Sequence, residues 1–299
     1  MHRSGPSERD REVITRITGA LVRAGLVALL IATPSLLLPG IGPDAAQITA
    51  MLALFAAGLT LFEYASNYPS LVEFRDAPPF NRLRFGSLFI TVFLLTMLCR
   101  GLTDVSGATM AIGEIGRILG QAIDFPYSPV RLVLLALPSG ASEQHVELVR
   151  SAAGIAYLTS LLSLCFFVIG IRAGRWPVRS GAFNVWVNLP TFDPTAGGDV
   201  VDRLNRDARL NIILGFLLPF IAPAVAKAAA VVFSPLALEA PQTLIWTMAA
   251  WAFLPSSLFM RGIAMSRIAS MIESKRQRAS EARDAEAEGH LAGHDPLAA

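Results

Sequence analysis

Six runs of apolar residues, each close to the length that crosses a bilayer, constrain this chain more than any other feature. They cover about 19–38, 46–65, 85–102, 151–171, 210–233 and 243–260. At 1.5 Å per residue, about 20 residues cross the roughly 30 Å of hydrocarbon in a membrane. With 53% of its residues hydrophobic and only 16% charged, the chain has too few charges to hold six such runs in water. Helices are the expected form of each run, because isolated strands would leave backbone polar groups unpaired in lipid and barrel strands are shorter and alternate in polarity. The expectation is an all-α, polytopic transmembrane bundle of six spans over 18–262. A short segment, 1–17, precedes it, and an amphipathic helix with a disordered tail, 263–299, follows.

The first run reads as a span rather than a cleaved signal, since "TPSLLLPGIGPDAAQ" follows it where short side chains would mark a cleavage site. Placement of the basic residues then orients the bundle. Of 25 Lys and Arg residues, 19 fall in the N-terminal segment, the loops after spans two and four, and the C-terminal tail, whereas four lie in the intervening segments. The positive-inside rule puts both termini in the cytoplasm, and an even number of spans independently requires the termini to share a side. This is the layout of a bacterial inner-membrane protein. Because topology accounts for the arginines, and the net charge is only +2, nothing suggests a nucleic-acid partner; anionic lipid headgroups at the cytoplasmic face are the expected contact.

The two loops on the arginine-rich side echo one another. The first, "SNYPSLVEFRDAPPFNRLRF" at 66–85, contains Asn67-x-Pro69-Ser, then Phe-Arg75-Asp76-Ala-Pro. The second contains Asn188-x-Pro190-Thr, then Phe192-Asp193-Pro. With Glu73 and Arg82 these are the specific-looking polar positions of the chain. Either a duplication or a shared turn chemistry explains the echo. Farther along, Asp199 reads as the N-cap of a helix presenting Val201, Leu204 and Ala208 on one face, with Asp202–Arg206 and Arg203–Asp207 spaced to pair. Met265, Ile268, Ala269 and Ile272 recur at helical spacing and predict a helix lying on the membrane surface. On the other side, Ile112, Ile115, Ile118, Leu119 and Ile123 form an apolar stripe on a segment that lies on or dips into the outer surface, and Ser142 caps the helix that becomes span four.

Few ionisable groups fall inside the spans. Arg23 and Glu63 sit near the inner ends and can snorkel; Lys227, about six residues from the outer end of span five, is deepest. Pro34, Pro219, Pro223 and Pro255 predict kinked helices. Cys99 and Cys165 read as small buried hydrophobes, not a disulfide. All four histidines lie outside the spans, which excludes bis-histidine haem within the bundle, and no phosphate loop, zinc-protease motif or nucleophile elbow occurs. No cofactor or metal is expected. The leading functional expectation is therefore a non-enzymatic membrane protein that assembles with another membrane protein or with itself through its cytoplasmic loops. The alternatives are a small-solute transporter or channel built around span five and Lys227, and an enzyme acting on lipid through loop carboxylates such as Glu73 and Asp76.

Overall fold

Each apolar run folds as a helix, and most of these helices continue past the hydrocarbon-length run into charged sequence. The computed structural model describes residues 8–173, 176, 184–193, 195, 197–230 and 238–292. Expectations placed on His2, His294, Arg3, Arg175, Arg179 and the end of the fifth run, 231–233, fall outside the described residues. The chain is 80% helix, without strands among the described residues. Among the described residues, six helices are long and apolar enough to cross a membrane: α1 (Glu8–Leu37), α2 (Pro43–Ala65), α3 (Phe80–Arg100), α6 (Glu143–Ala173), α8 (Val200–Ala229) and α9 (Pro241–Ala292). Between them lie α4 (Gly107–Ile123), α5 (Pro129–Ala136) and the single turn α7 (Val185–Asn188). The protein is a helical transmembrane bundle.

Local chemistry sets the helix ends. Gly40 takes the left-handed backbone, φ 74°, that lets α1 turn into α2, which starts with Pro43 at its first position. Ser106 and Thr109 form a reciprocal capping box at the start of α4. The Ser142 hydroxyl accepts from the His145 amide at 3.2 Å before α6, and Asp199 accepts from the Val201 amide before α8 at 2.6 Å, both as the sequence predicts.

Two apolar clusters hold the bundle together, one toward each membrane face. The first, from α3, α5, α6 and α9, centres on Val92, Leu95, Val130, Ala152, Ala156 and Ile245. The second, at the arginine-rich face, gathers Phe74, Phe80, Phe167, Leu204, Met260 and Met265. Helices α6 and α9 run through both. Close crossings are made by glycine. A Cβ on Gly154 of α6 would sit 2.7 Å from the backbone of Gly120 in α4, one on Gly215 of α8 2.7 Å from the Pro255 carbonyl oxygen, and one on Gly262 of α9 2.7 Å from the Ala208 carbonyl oxygen. These contacts let backbones approach where any side chain would hold them apart.

The apolar stripe of α4 is divided: Ile115 and Ile118 are exposed, whereas Ile112 and Ile123 pack against the first cluster, beside the face where Gly116 and Gly120 meet α6. Three expectations are revised. Met265, Ile268 and Ala269 do not lie on lipid, because they are buried in the second cluster against the loops. Cys99 is buried, whereas Cys165 is on the exposed side of α6. The helix α9 also continues through Ala292, into the stretch read as a disordered tail.

The in-span prolines leave carbonyls without their usual helical donor. Pro223 removes the donor for the Pro219 carbonyl, and the Trp251 indole N–H of α9 takes its place at 3.2 Å. That partner makes the α8 irregularity a helix-packing contact. Lys227, farther along α8, donates from Nζ to the Leu135 carbonyl of α5 at 2.7 Å. The lysine thus ties two helices together, rather than only reaching for the headgroups.

Candidate functional site

The loop after α2 is organised by a carboxylate that its own chain wraps around. Glu63, in the last turn of α2, is only 3% exposed. Its carboxylate accepts from the backbone amides of Ser70 (3.0 Å), Leu71 (2.9 Å) and Val72 (3.1 Å) and from the Ser70 hydroxyl (2.6 Å). It does not snorkel; the loop doubles back and supplies the donors that water would otherwise give. Arg75 completes the turn by donating to the Glu63 and Ser66 carbonyls at 3.1 and 2.7 Å. These are C-terminal carbonyls of a helix, where a cation is favoured.

The two arginine-rich loops meet at this point. The Phe74 amide donates to the Asn188 carbonyl at 2.7 Å, and the Asp76 amide to the Asn188 side-chain oxygen at 3.0 Å. The Trp176 indole donates to the Ala77 carbonyl at 3.2 Å. Phe74 takes a left-handed backbone, φ 53°, that turns its ring inward. There it lies 4.4 Å from Phe80 and 5.8 Å from Trp176 between ring centroids, and Phe167 joins from α6 at 5.5 Å from Phe80. Burial of each such ring contributes about 1.5–3 kcal/mol, and the edge and tilted contacts add to it. The outcome is a two-loop cap over one end of the bundle.

Glu73 ties the cap to α9. Arg261 grips its carboxylate with both Nε and a terminal nitrogen, at 2.7 and 2.9 Å, and the Thr191 hydroxyl of the second loop donates at 2.6 Å. Asn81 holds the Glu73 carbonyl at 2.7 Å. One side chain therefore bonds the second loop and the last span from the first loop. The other candidate residues are dispersed. Asn67 accepts from Arg16 of α1 at 2.6 Å, and Pro69 is buried beneath the turn. Asp76 has its carboxylate 3.3 Å from Arg75 but is largely exposed. Pro190 is half-buried beside Asn188. The Asp193 carboxylate caps its own turn at Thr195, at 2.8 and 2.6 Å, and its carbonyl accepts from Arg203 at 2.8 Å. Arg206 approaches Asp207 at 3.8 Å rather than following the predicted spacing. Lys227 is at the opposite end of α8 from the cap. Asn67 and Asn188 make different bonds, so the echo in sequence is not an echo in contacts.

Beneath the cap lies a cleft of about 690 Å³ between the α1–α2 hairpin on one side and α3, α8 and α9 on the other. Four arginines line it, Arg23, Arg82, Arg84 and Arg261, against a single carboxylate, Glu73. Arg23 donates to the Gly19 carbonyl at 2.7 Å and covers the Tyr64 ring at 4.7 Å. Arg84 lies over Phe80 and Phe253, at 5.2 and 5.8 Å, and its Nε is buried without a hydrogen-bond acceptor. Of these residues the sequence singled out Glu73 and Arg82. In the sequence Arg84 and Arg261 serve only as topology signals, and nothing in the spacing of Arg261, 188 residues from Glu73, marks it as that acid's partner. Farther out, Arg276 of α9 bonds Asp199 at 2.7 Å. That bond, with the Val201 amide, holds the Asp199 carboxyl below the usual carboxylate range. No known family profile, no curated protein and no solved structure matches this chain.

Proposed function

We propose that the chain is a non-catalytic protein of a bacterial inner membrane, both termini in the cytoplasm, that assembles with a second membrane protein or a second copy of itself. The observation that carries this reading is the end of α9. Residues 273–286 continue as helix, and every one is exposed. At 1.5 Å per residue the ten residues after Arg276 reach about 15 Å beyond the bundle. A lone helix of this length is marginal in water, and one polar on all sides usually bridges to something else. Its base touches the bundle through the exposed Arg276–Asp199 pair, and its direction is set by the continuous helix behind it.

The cap supports the same reading in a modified form. Its polar residues, Asn188, Glu73 and Arg75, are engaged in holding loop to loop and helix to loop. They act as the scaffold of a docking platform, and α9 is its contact arm. The test is a photo-crosslinking residue at Glu281 in intact cells. A discrete adduct of defined mass, at twice the chain or at the sum of the chain and one partner, is expected, and truncation after Ile272 should abolish it without lowering the membrane level of the protein. Absence of any discrete adduct at Glu281 and at the neighbouring Arg278 would refute the proposal.

A further inference from the structure

We infer that the cleft beneath the cap is a binding site for a phosphate-type oxyanion at the head of a membrane amphiphile. This goes beyond the assembly reading and stands or falls separately from it.

The first ground is charge. Glu73, the carboxylate lining the cleft, is already held by Arg261 through two hydrogen bonds. Arg23, Arg82 and Arg84 therefore face the cleft without an acid of their own. Glu73 acts on Arg84 only through space: among the described residues, neither a salt bridge nor a hydrogen bond engages the Arg82 or Arg84 guanidinium, and the Arg84 Nε is shut off from solvent. A buried N–H of a cation without an acceptor is costly, so a structure that retains one has use for an acceptor there. The guanidinium fork matches the paired oxygens of a phosphate, and the Phe80 and Phe253 rings hold the Arg84 fork in place.

The second ground is position and shape. The arginines sit where α2 ends and α3 begins, at the level where spans meet headgroups. Beyond them the cleft is lined by Leu26, Leu218, Leu254 and Leu258, an apolar wall fit for acyl chains. Its volume, about 690 Å³, is in the range of small-ligand sites, roughly 300–1,000 Å³. A free inorganic anion would use the arginines alone, whereas an anionic lipid uses both parts. Basic pockets between spans at the inner face are suited to anionic headgroups on general electrostatic grounds.

The experiment uses the full chain in a neutral detergent and measures retention of phosphatidylglycerol, phosphatidylcholine and inorganic phosphate by native mass spectrometry. Phosphatidylglycerol should bind at least tenfold tighter than phosphatidylcholine, and Arg84→Gln should weaken it about tenfold. Arg84→Lys, which keeps the charge and loses the fork, should fall between. Arg82→Gln, a change at an exposed position, should weaken it in the same direction and serves if Arg84→Gln fails to fold. Arg278→Gln, outside the cleft, should change nothing. Inorganic phosphate that displaces the lipid at equal affinity assigns the site to a soluble anion; phosphate that competes only weakly assigns it to the lipid. Equal binding of the two lipids, or equal loss in Arg278→Gln and in both cleft variants, would overturn the inference.

Discussion

The bond between Glu73 and Arg261 should control whether the cap stays closed, and the structure gives its size. With charge centres about 4 Å apart and an effective dielectric constant near 20, the Coulomb attraction is about 4 kcal/mol. Desolvation offsets part of it. The Arg261 side chain keeps 28% of its exposure and that of Glu73 11%, so neither ion is fully stripped of water. Charge-assisted hydrogen bonds in such settings contribute about 1.5–3 kcal/mol net, and a coupling near 2 kcal/mol, about 30-fold, is the expected value. The perturbation is the cycle Glu73→Gln, Arg261→Gln and the double variant; glutamine keeps an acceptor for the Thr191 hydroxyl, so only the ion pair is removed. The amides of Phe74 and Asp76, which donate across to Asn188, report the closed state. Their hydrogen exchange in detergent should quicken about 30-fold in each single variant and by little more in the double variant. Single-variant effects that simply add, or amide protection that does not move, would refute the reasoning.

Other consequences are more local. Gly154→Ala puts a methyl 2.7 Å from the Gly120 backbone and should lower thermal stability by about 1–3 kcal/mol, whereas Gly113→Ala, with open space around it, should be neutral or slightly stabilising; equal shifts in the two would count against the α4–α6 contact. The Asp199 carboxyl is lowered in the folded chain, so its pairing with Arg276 is fully present above the ordinary aspartate pKa of about 3.9 and is lost as pH falls through the lower folded value. A spin-label distance between Gly197 and Arg278 should therefore hold from pH 7 to about 5 and lengthen only in stronger acid; loosening near pH 6 would contradict it. Reporter fusions after Gly140 and after Gly198 should report opposite sides of the membrane, and the same side for both would overturn the six-span layout.

The spans were legible because hydropathy is a one-dimensional property, averaged over about 20 residues and insensitive to which neighbour covers each face. Contacts were less legible for the same reason. The Met265–Ile268 stripe has one periodicity whether lipid or protein covers it, and only the loops folding over it decide for protein. In α4 the isoleucines advertised a face, but the glycines, which hydropathy hardly registers, made the close contact. Glu63 was read by its distance from a span end, whereas its partners are loop amides seven to nine residues on, a relation set by backbone path and not by pattern. The loop echo includes Asn188 and Arg75, and Glu73 stands out as a loop carboxylate, yet neither signal shows that Arg261 reaches Glu73 from the last span. The cleft was invisible in sequence, since its arginines come from three different helices.

Pro255 divides α9 between the two apolar clusters, with Trp251 bonded to α8 on one side and Arg261 bonded to Glu73 on the other. The proline frees one helical carbonyl and so makes this the softest point of a long rod. Mechanically the helix is a crank with its pivot in the membrane. The outer half is the fixed mount, the Glu73 clamp is the stop that sets the angle, and the charged end beyond Ile272 is the handle. A load placed on that handle is felt first at the wall of the cleft, where Leu254, Leu258 and Arg261 stand on either side of the pivot.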